Sequence, residues 1–467
     1  MRLPGFIRLV SFLLLACLLL QNAVTLNAAD QFLDTCLKIA EAREKRLVVA
    51  REQMNLSKVR IARTARGFFP GLGVERKGSH GKTIIDEYQS EELGLRASQP
   101  IYEGGRQRAT YRYERLMEDA SRYNYTKTRE EVFYRIKLAY YELLAARMEY
   151  STLKKAFADI DRLQEKVKLE YNAKAISELD MIESRNFRDK VENLYRGAEL
   201  NVEYANKKLV TLIGVNSLDN IPVILPEGLC DDVPEISFTL KECLGFVNTN
   251  NIDIKLNQSQ IALAKQKIIV THSKVIPKLY LEGFYGQSGE AFVTEPLALA
   301  TVWNVTAKIS WSIWGNSFEL NRIDEKSAPS EIVDTATRID VQSYTARLNI
   351  LDDMNYFVEH KESKVAFQQA EAEYQDTYKK NVLDFQKAYN DYANSLMNAR
   401  TLKNEITLHL QKLQLLRRQN DLYEIPTVQL MEEAWKHAET VTNYSKTLCT
   451  NYSAVTEMER MALIALR

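Results

Sequence analysis

Residues 136–171 read IKLAYYELLAARMEYSTLKKAFADIDRLQEKVKLEY in one-letter code. Apolar and small side chains recur in this stretch at steps of three and four residues, which is the repeat of an α-helix packed in a coiled coil. The repeating positions are Ile136, Ala139, Leu143, Ala146, Tyr150, Leu153, Phe157, Ile160, Gln164, Val167 and Tyr171. Only Gln164 is clearly polar, so the stretch predicts a helix that buries one continuous stripe.

The predicted helix is very long. Residues 106–171 contain neither glycine nor proline, so they carry no strong helix breaker. A helix over this range would measure about 100 Å at ~1.5 Å per residue. Because that length exceeds the diameter of an ordinary domain, we expect the helix to belong to an elongated, tube-like or rod-like assembly.

The chain repeats itself. When the sequence is shifted by 207 residues, Cys36 and Pro70 fall on Cys243 and Pro277. When it is shifted by 249 residues, the helical stripe falls on a second stripe. That stripe consists of Phe385, Ala388, Tyr392, Ser395, Ala399, Leu402, Ile406, His409, Leu413, Leu416 and Asn420. His409 in this stripe is expected to be packed or hydrogen-bonded instead of serving as a ligand.

Each copy is predicted to contain a helix, a β-hairpin, a very long helix and a return helix. The first copy is predicted at residues 30–215, with its hairpin at about 70–102 and its long helix ending near 171. The second copy is predicted at residues 236–467, with its hairpin at about 278–314 and its long helix ending near 420. Between the copies, residues 216–235 read as an extended linker. About 37 residues, 318–354, are inserted after the second hairpin, and the sequence gives no account of them.

Composition and charge exclude several classes of protein. The 467 residues include 62 Lys+Arg and 62 Asp+Glu, whereas a protein that binds nucleic acid carries a basic patch or stripe. A charged fraction of 27% and a mean hydropathy of −0.32 exclude a polytopic helical membrane protein. Beyond residue 30, no apolar run approaches the ~20 residues of a membrane-spanning helix. The mature chain is therefore expected to cross a bilayer only as β-strands, if at all.

Residues 1–29 are predicted to be a signal peptide. They contain two arginines near the start, an apolar core at residues 9–20 and two alanines at the end. A lipoprotein signal with lipid attached at Cys17 is the alternative, and it fits less well because three leucines continue the apolar core beyond Cys17. Both interpretations predict export.

Four cysteines remain in the exported chain, and they are Cys36, Cys230, Cys243 and Cys449. In an oxidising compartment they could form up to two disulfides. Burial as small apolar side chains is an equally good interpretation. Their spacing relative to each other and to the histidines does not indicate a metal site.

The hairpins resemble membrane strands. Residues 305–313 alternate strictly, so that Thr306, Lys308, Ser310 and Ser312 face one way, and the apolar side chains face the other. Those predicted to face lipid include Val305, Ala307, Ile309 and Trp311. Apolar outward and polar inward positions are typical of a transmembrane barrel. An antiparallel sheet half-buried against soluble structure is the alternative.

Two hairpins predict four strands per chain. Four strands leave two open edges, which lipid does not tolerate, so closure would require an oligomer. A dimer would supply eight strands, a trimer twelve and a tetramer sixteen.

Over nearly its whole mature length, the sequence resembles the TolC-like outer membrane efflux protein family. The resemblance rests on the duplicated order of elements and on two short motifs, residues 95–105 (LRASQPIYEGG) and residues 171–180 (YNAKAISELD). It implies a mainly α protein with a transmembrane β part. In that family a homotrimer forms a twelve-stranded barrel continued by a twelve-helix periplasmic tunnel. The resemblance also implies an outer-membrane location, docking to a periplasmic adaptor (membrane fusion protein) and an inner-membrane pump as partner.

The resemblance also implies sites at the two helix breaks, and the chain departs from the family there. The usual glycine is Lys174 in the first copy and Tyr423 in the second. Adaptor docking is predicted at the tips of the breaks, at Lys174, Ser177, Asp180, Tyr423 and Thr427. In the family, two acidic residues three apart narrow the periplasmic aperture. The matching positions here are Gln429 and Glu432, with Glu433 adjacent, so one acidic ring is neutral in this chain.

No motif in the sequence supports catalysis, and neither a cofactor nor a metal is predicted. The predicted function is a passive exit duct of a tripartite efflux or type I secretion system. The alternative is an exported periplasmic coiled-coil scaffold or adaptor without a membrane barrel. The sequence does not distinguish drugs, metals and proteins as the transported substrate.

Overall fold

The computed structural model describes residues 32–82, 84, 86–215, 235–313, 315–327, 340–351, 354–422 and 424–466. It divides into two compact units. One is helical and comprises Met1–Arg51, Tyr125–Ile254 and Tyr378–Arg467; the other comprises Glu52–Asn124 and Lys255–Thr377 and holds the strands. The predicted signal peptide, Cys17, Cys230, Tyr423 and nearly all of the predicted linker lie outside the described residues.

The helices of the two halves of the chain match in length. Residues 32–43 form α1, followed by α2 (Lys45–Arg66), α3 (Arg106–Asn172), α4 (Glu178–Ile213), α5 (Leu240–Asn250), α6 (Ile252–His272), α7 (Asn355–Asp421) and α8 (Thr427–Ala462). Helices α3 and α7 both have 67 residues, and α4 and α8 both have 36. None of the described helices is long and apolar enough to cross a membrane.

The stripe predicted on residues 136–171 is the buried face of α3. Six of its members have no exposed surface, namely Ile136, Ala139, Leu143, Leu153, Ile160 and Val167. They pack in two clusters with side chains of α1, α4, α7 and α8. The stripe of α7 is buried in the same way, and Phe385 in it is fully enclosed. The apolar repeat therefore explains why the shorter helices gather along α3 and α7.

All strands belong to one antiparallel sheet with the order β1-β2-β3-β4-β5-β6. The strands are β1 (Gly71–Lys82), β2 (Glu87–Glu103), β3 (Lys278–Phe292), β4 (Ala300–Ile313), β5 (Asn316–Lys326) and β6 (Asp340–Asn349). Hairpins β1-β2 and β3-β4 lie where the sequence predicts them. The two hairpins are joined through β2 and β3, which are paired along most of their length.

The prediction of four strands per chain is wrong, because the inserted segment 318–354 supplies most of a third hairpin, β5-β6. Strand β4 does not lead directly into the long helix. It turns at Gly315, whose φ of +81° is readily adopted only by glycine, and continues as β5. The first copy has no counterpart of this segment, so comparison of the copies gave no template for it. The count of twelve strands in a trimer depended on four strands per chain and does not follow from this sheet.

The two ends of the third hairpin are joined by hydrogen bonds. The backbone N–H of Leu351 donates to Oδ1 of Asn316 at 2.9 Å, and Nδ2 of Asn349 donates to Oγ of Ser317 at 2.9 Å. A Cβ atom on Gly315 would lie 2.8 Å from Sδ of Met354, just before α7. Since the insertion closes on itself, it fits between β4 and α7 without separating them.

One face of the sheet carries an apolar band across all six strands, and we call it the apolar face; outside the band this face carries Arg76 on β1 and Arg322, Asp324 and Lys326 on β5. Residues directly opposite each other in the register share a face. The apolar face carries Leu72, Val74, Leu93, Leu95, Ala97, Leu279, Leu281, Tyr285, Trp303, Val305, Ala307, Ile309, Trp311, Ile313, Phe318, Leu320, Tyr344, Ala346 and Leu348. The four side chains predicted to face lipid are therefore on one face, together with apolar residues of every other strand.

The opposite face is polar and charged. It carries Glu75, Lys77, Glu92, Arg96, Glu282, Thr306, Lys308, Glu319 and Arg347. Many of these charges are paired across strands: Nε of Arg96 lies 2.6 Å from Oε2 of Glu75, and Lys308 pairs with Glu319. The sheet thus separates an apolar side from a polar side over its full width.

Cys36 and Cys243 are free and buried, at equivalent positions of α1 and α5, and Cys449 on α8 is half-buried. Burial raises the pKa of the Cys36 thiol to about 11 and raises that of Cys243. Within the described part of the chain, Cys36 and Cys243 therefore act as packing residues and form no disulfide.

Candidate functional site at the two helix breaks

The first break separates α3 from α4 and turns on Lys174. This residue has a φ of +58°, the left-handed conformation that commonly ends a helix. The backbone N–H of Ala175 donates to the carbonyl oxygen of Glu170 at 2.9 Å, and that of Ala173 donates to Leu169 at 3.0 Å. The break predicted at residues 171–180 is a hydrogen-bonded turn. Lys174 occupies its left-handed position, where glycine would be unstrained.

The second break repeats the same hydrogen bonds. The N–H of Glu424 donates to the carbonyl oxygen of Gln419 at 2.9 Å, and that of Leu422 donates to Arg418 at 3.2 Å. Each bond lies 249 residues after its counterpart in the first break. Tyr423, the counterpart of Lys174, lies outside the described residues.

The two breaks differ in how the following helix starts. Ser177 caps α4: its Oγ accepts from the N–H of Asp180 at 3.1 Å, while the Asp180 carboxylate accepts from the N–H of Ser177 at 2.9 Å. This reciprocal cap is exposed, and its hydrogen bonds from the Ser177 hydroxyl and backbone lower the pKa of Asp180. Pro426 precedes the first residue of α8, and its side chain makes no capping hydrogen bond.

Thr427, predicted at an exposed tip, is completely buried. Its Oγ1 donates to Oε1 of Glu170 at 2.5 Å and accepts from Nδ2 of Asn420 at 3.0 Å. Oδ1 of Asn420 accepts from Nζ of Lys166 at 2.5 Å. Thr427 therefore joins α3, α7 and α8 in one polar network, so it supports the breaks from inside.

A groove of about 680 Å³ lies between the breaks. It is lined by Lys166, Leu169, Glu170, Ala173, Ala175, Ile176, Asp180, Glu424, Ile425 and Pro426. Beside it, the breaks leave apolar side chains open to solvent: Leu169 is 69% exposed, Leu179 64% and Leu422 69%. The site therefore combines an apolar groove with a charged edge.

The residues predicted to form an aperture do not share one environment. Gln429 is exposed and Glu432 half-exposed, and they lie one turn apart on the same side of α8. The Glu432 carboxylate accepts from Nζ of Lys436 at 2.6 Å. Glu433 is buried, with Oε1 2.6 Å from Nδ1 of His409 on α7. Gln429 and Glu432 are thus accessible together, whereas Glu433 packs between helices.

His437 lies one turn beyond Glu433 and is buried. Its pKa is lowered, first by burial and then by repulsion from His409 and Arg417, and attraction to Glu433 opposes this only in part. The folded protein therefore holds His437 neutral at a pH where the unfolded chain would already bind a proton.

Sequence reasoning missed two elements of this site. The pair His409–Glu433 joins residues on different helices and has no local signal, although His409 was expected to be hydrogen-bonded. The network around Thr427 had one signal, since Asn420 is a polar residue at the end of an otherwise mostly apolar stripe. Within the described residues, no group of three or more His, Cys, Asp or Glu side chains could hold a metal ion.

Replacing Lys174 with glycine is expected to stabilise the protein by about 1 kcal/mol, because a left-handed conformation costs a residue with a Cβ roughly 1–2 kcal/mol. The melting midpoint of the purified protein would rise. Lys155→Gly is the control, since Lys155 is exposed within α3, and glycine in a helix interior costs about 1 kcal/mol. A fall in both variants would contradict the strain at Lys174.

Acidification is expected to destabilise the helical unit through His437. Its pKa is lower in the folded state, so stability is fully present above the unfolded value of about 6.5 and falls as the pH drops below it. Melting followed by circular dichroism between pH 7.5 and 5 measures the effect. His437→Gln should flatten the acid-side slope; an unchanged slope would mean that other groups cause it.

The model of the family described as outer membrane efflux protein matches residues 36–215. No curated protein sequence is significantly similar to the chain.

Solved structures share the fold over nearly the whole chain. The CmeC outer membrane channel of Campylobacter jejuni has a TM-score of 0.72 at 15% identity, covering 93% of this chain and 86% of that one. The open-state MtrE outer membrane channel of Neisseria gonorrhoeae has a TM-score of 0.67 at 14% identity, covering 93% and 89%. The outer membrane protein VceC of Vibrio cholerae has a TM-score of 0.66 at 14% identity, covering 93% and 95%. The chain therefore shares the fold of these outer membrane channels, and its resemblance to the outer membrane efflux protein family is confirmed over residues 36–215.

Proposed function

Given this fold, we propose that the chain is the outer-membrane exit duct of a tripartite efflux or type I secretion system. It is a passive conduit, and an inner-membrane pump drives the substrate. The observation that carries the proposal is the sheet, in which a band of apolar residues crosses every strand on one face and the other face is polar and charged, as in a transmembrane barrel. A conduit needs no catalytic residues and no cofactor.

The apolar face is the lipid-facing surface in this proposal. Val305, Ala307, Ile309 and Trp311 lie in its middle strands, and Trp303 and Tyr285 lie opposite each other further along these strands. Aromatic residues of this kind are typical of the membrane–water interface. The polar face, with Lys308 and Arg96, then lines a water-filled lumen.

The chain acts as a homotrimer in this proposal, as the family resemblance implies. Strands β1 and β6 each pair on one side only in the described sheet, and open edges are not tolerated in lipid. Neighbouring copies are the natural source of the missing strands. The same three copies supply twelve helical segments to a periplasmic tunnel.

The helix breaks form the periplasmic end of the duct in this proposal. The groove beside Leu169 and Ile176 receives the periplasmic adaptor, whose apolar side chains would cover the exposed leucines, with the Ser177–Asp180 cap and Lys174 at its edge. Gln429 and Glu432 face the aperture. Three copies of Glu432 around a narrow axis would attract cations. Glu433, which is bonded to His409, holds α8 on α7.

Membrane fractionation tests the function. A duct resists extraction from membranes with alkaline carbonate, and chemical cross-linking of it gives trimers. Release of the protein by carbonate, or a stable monomer in detergent, would instead support a soluble periplasmic scaffold. The probe is the full chain, expressed with its own signal peptide.

An arginine on the apolar face is expected to impair assembly. Ile309→Arg places a charge near the middle of β4, where it would cost roughly 2–4 kcal/mol at the bilayer midplane. Thr306→Arg is the matched control, because Thr306 faces the charged side directly opposite Glu282. Trimer yield in the membrane fraction is the measurement. Equal yields from both variants would show that the assignment of faces to lipid and lumen is wrong.

Removing the charge of Glu432 is expected to reduce the cation selectivity of the duct. In planar bilayers, Glu432→Gln should shift the reversal potential in a salt gradient and weaken block by multivalent cations. Glu433→Gln is the control, since this buried residue should affect stability and leave selectivity unchanged. If Glu432→Gln retains the selectivity and block of the unaltered protein, the constriction lies elsewhere.

A further inference from the structure

In the part nearest Gly315, the third hairpin continues both faces of β4, whereas Arg322, Asp324 and Lys326 follow on the same side of β5 outside the apolar band. On β5 and β6, Phe318 lies opposite Leu348 and Leu320 lies opposite Ala346 on the apolar face. Between them, Glu319 lies opposite Arg347 on the charged face. The apolar residues of this hairpin are thus in register with Ile309 and Trp311 of β4 and extend the apolar band by two strands.

The apolar band crosses the sheet at a slant. On β1 and β2 it is centred on the row that contains Val74 and Leu95, whereas on β5 and β6 it is centred on the row of Leu320 and Ala346. Traced through the register of β3 and β4, the two rows lie about six residues apart over four strand spacings. At ~3.3 Å per residue and ~4.8 Å between strands, the slant is roughly 45°. Transmembrane strands are tilted by about this angle.

We infer that β5-β6 is part of the membrane wall, and that the wall is closed by pairing β6 of one copy with β1 of the next. Each copy then contributes six strands, and three copies contribute eighteen, in place of the twelve that the family resemblance implies. This inference rests on the proposed function, because only a sheet in lipid requires closure. Its partner is a second copy of this chain.

The two edge strands suit this pairing. The sheet is antiparallel throughout and has an even number of strands, so β6 and the neighbouring β1 also meet in antiparallel orientation. Both edges carry exposed apolar side chains on the same face: Val74 is 78% exposed on β1 and Leu348 63% on β6. Strand β4 is not an open edge in this chain, because β5 is hydrogen-bonded along it from Ile313 to Trp303.

The slant also predicts the register at the seam between copies. Continued by one strand spacing beyond β6, the apolar band places Gly73 of one copy opposite Asn349 of the neighbouring copy, and both residues belong to the polar face. A Cβ atom on Gly73 would meet nothing within 4 Å, so a cysteine fits there. If β1 instead paired with β4, the same slant would place Gly73 opposite Ser310.

Disulfide cross-linking in membranes tests the pairing. Residues directly opposite in an antiparallel pair are close enough for a disulfide. The variant Gly73→Cys with Asn349→Cys should give covalent dimers and trimers on non-reducing gels, and each single-cysteine variant should give neither. Cross-linking of Gly73→Cys with Ser310→Cys would overturn the inference, because β5 would then have left the edge of β4.

If neither pair cross-links, spin labels on the hairpin show whether it lies in the membrane wall. In a background with Cys230→Ser and Cys449→Ser, a nitroxide is attached to Leu348→Cys or to the matched neighbour Arg347→Cys. We expect the label at position 348 to collide with oxygen dissolved in lipid and the label at 347 with a water-soluble nickel chelate. Equal access of the chelate to both labels would place the hairpin outside the membrane wall and overturn the inference.

These results are distinct from failure of the proposed function. Release of the unaltered protein by carbonate would refute the duct itself. Retention in the membrane together with cross-linking at Ser310 would leave the duct intact and refute only the six-strand wall.

Discussion

A 67-residue helix cannot bury its own apolar stripe, and the rest of the structure follows from this constraint. Helices α3 and α7 each carry an apolar side chain at every third or fourth position. Neighbouring helices are needed to cover this stripe. The chain supplies them from itself through α1, α4, α5 and α8, which contribute the other side chains of the buried clusters. Polar residues are also buried between these helices, and some join them by hydrogen bonds, as when Oγ of Ser445 donates to Oε2 of Glu149 at 2.8 Å.

The two copies keep the same backbone at their breaks and use it differently. In the first copy, the exposed cap of Ser177 and Asp180 begins α4, and Lys174 tolerates a conformation that suits glycine. In the second copy the corresponding start is buried, and Thr427 is tied to Glu170 of the first copy. One break therefore offers polar groups to solvent, while the other fastens the helices together. The two breaks can differ in this way because the two copies of the repeat differ in sequence.

Much of the architecture could be predicted because it is periodic. The stripe on residues 136–171 and the alternation on residues 305–313 are local patterns that show which face is apolar. The third hairpin was missed because comparison of two copies shows only what they share. The bond between His409 and Glu433 and the network around Thr427 were missed because they join side chains of different helices, and their register depends on packing that a single sequence does not state. Glu432 and Glu433 are neighbours in sequence, yet only the helical geometry shows that one is accessible and the other enclosed.

The equal lengths of α3 and α7 decide where this chain can change in evolution. One residue added inside either helix would turn everything beyond it by about 100°, and the stripe would leave its partners. A hairpin that closes between Asn316 and Leu351 adds residues without altering the phase of any helix. Insertions and deletions are therefore tolerated between the strands and selected against within the helices. Descendants of this protein can vary in the number of their strands far more readily than in the length of their helices.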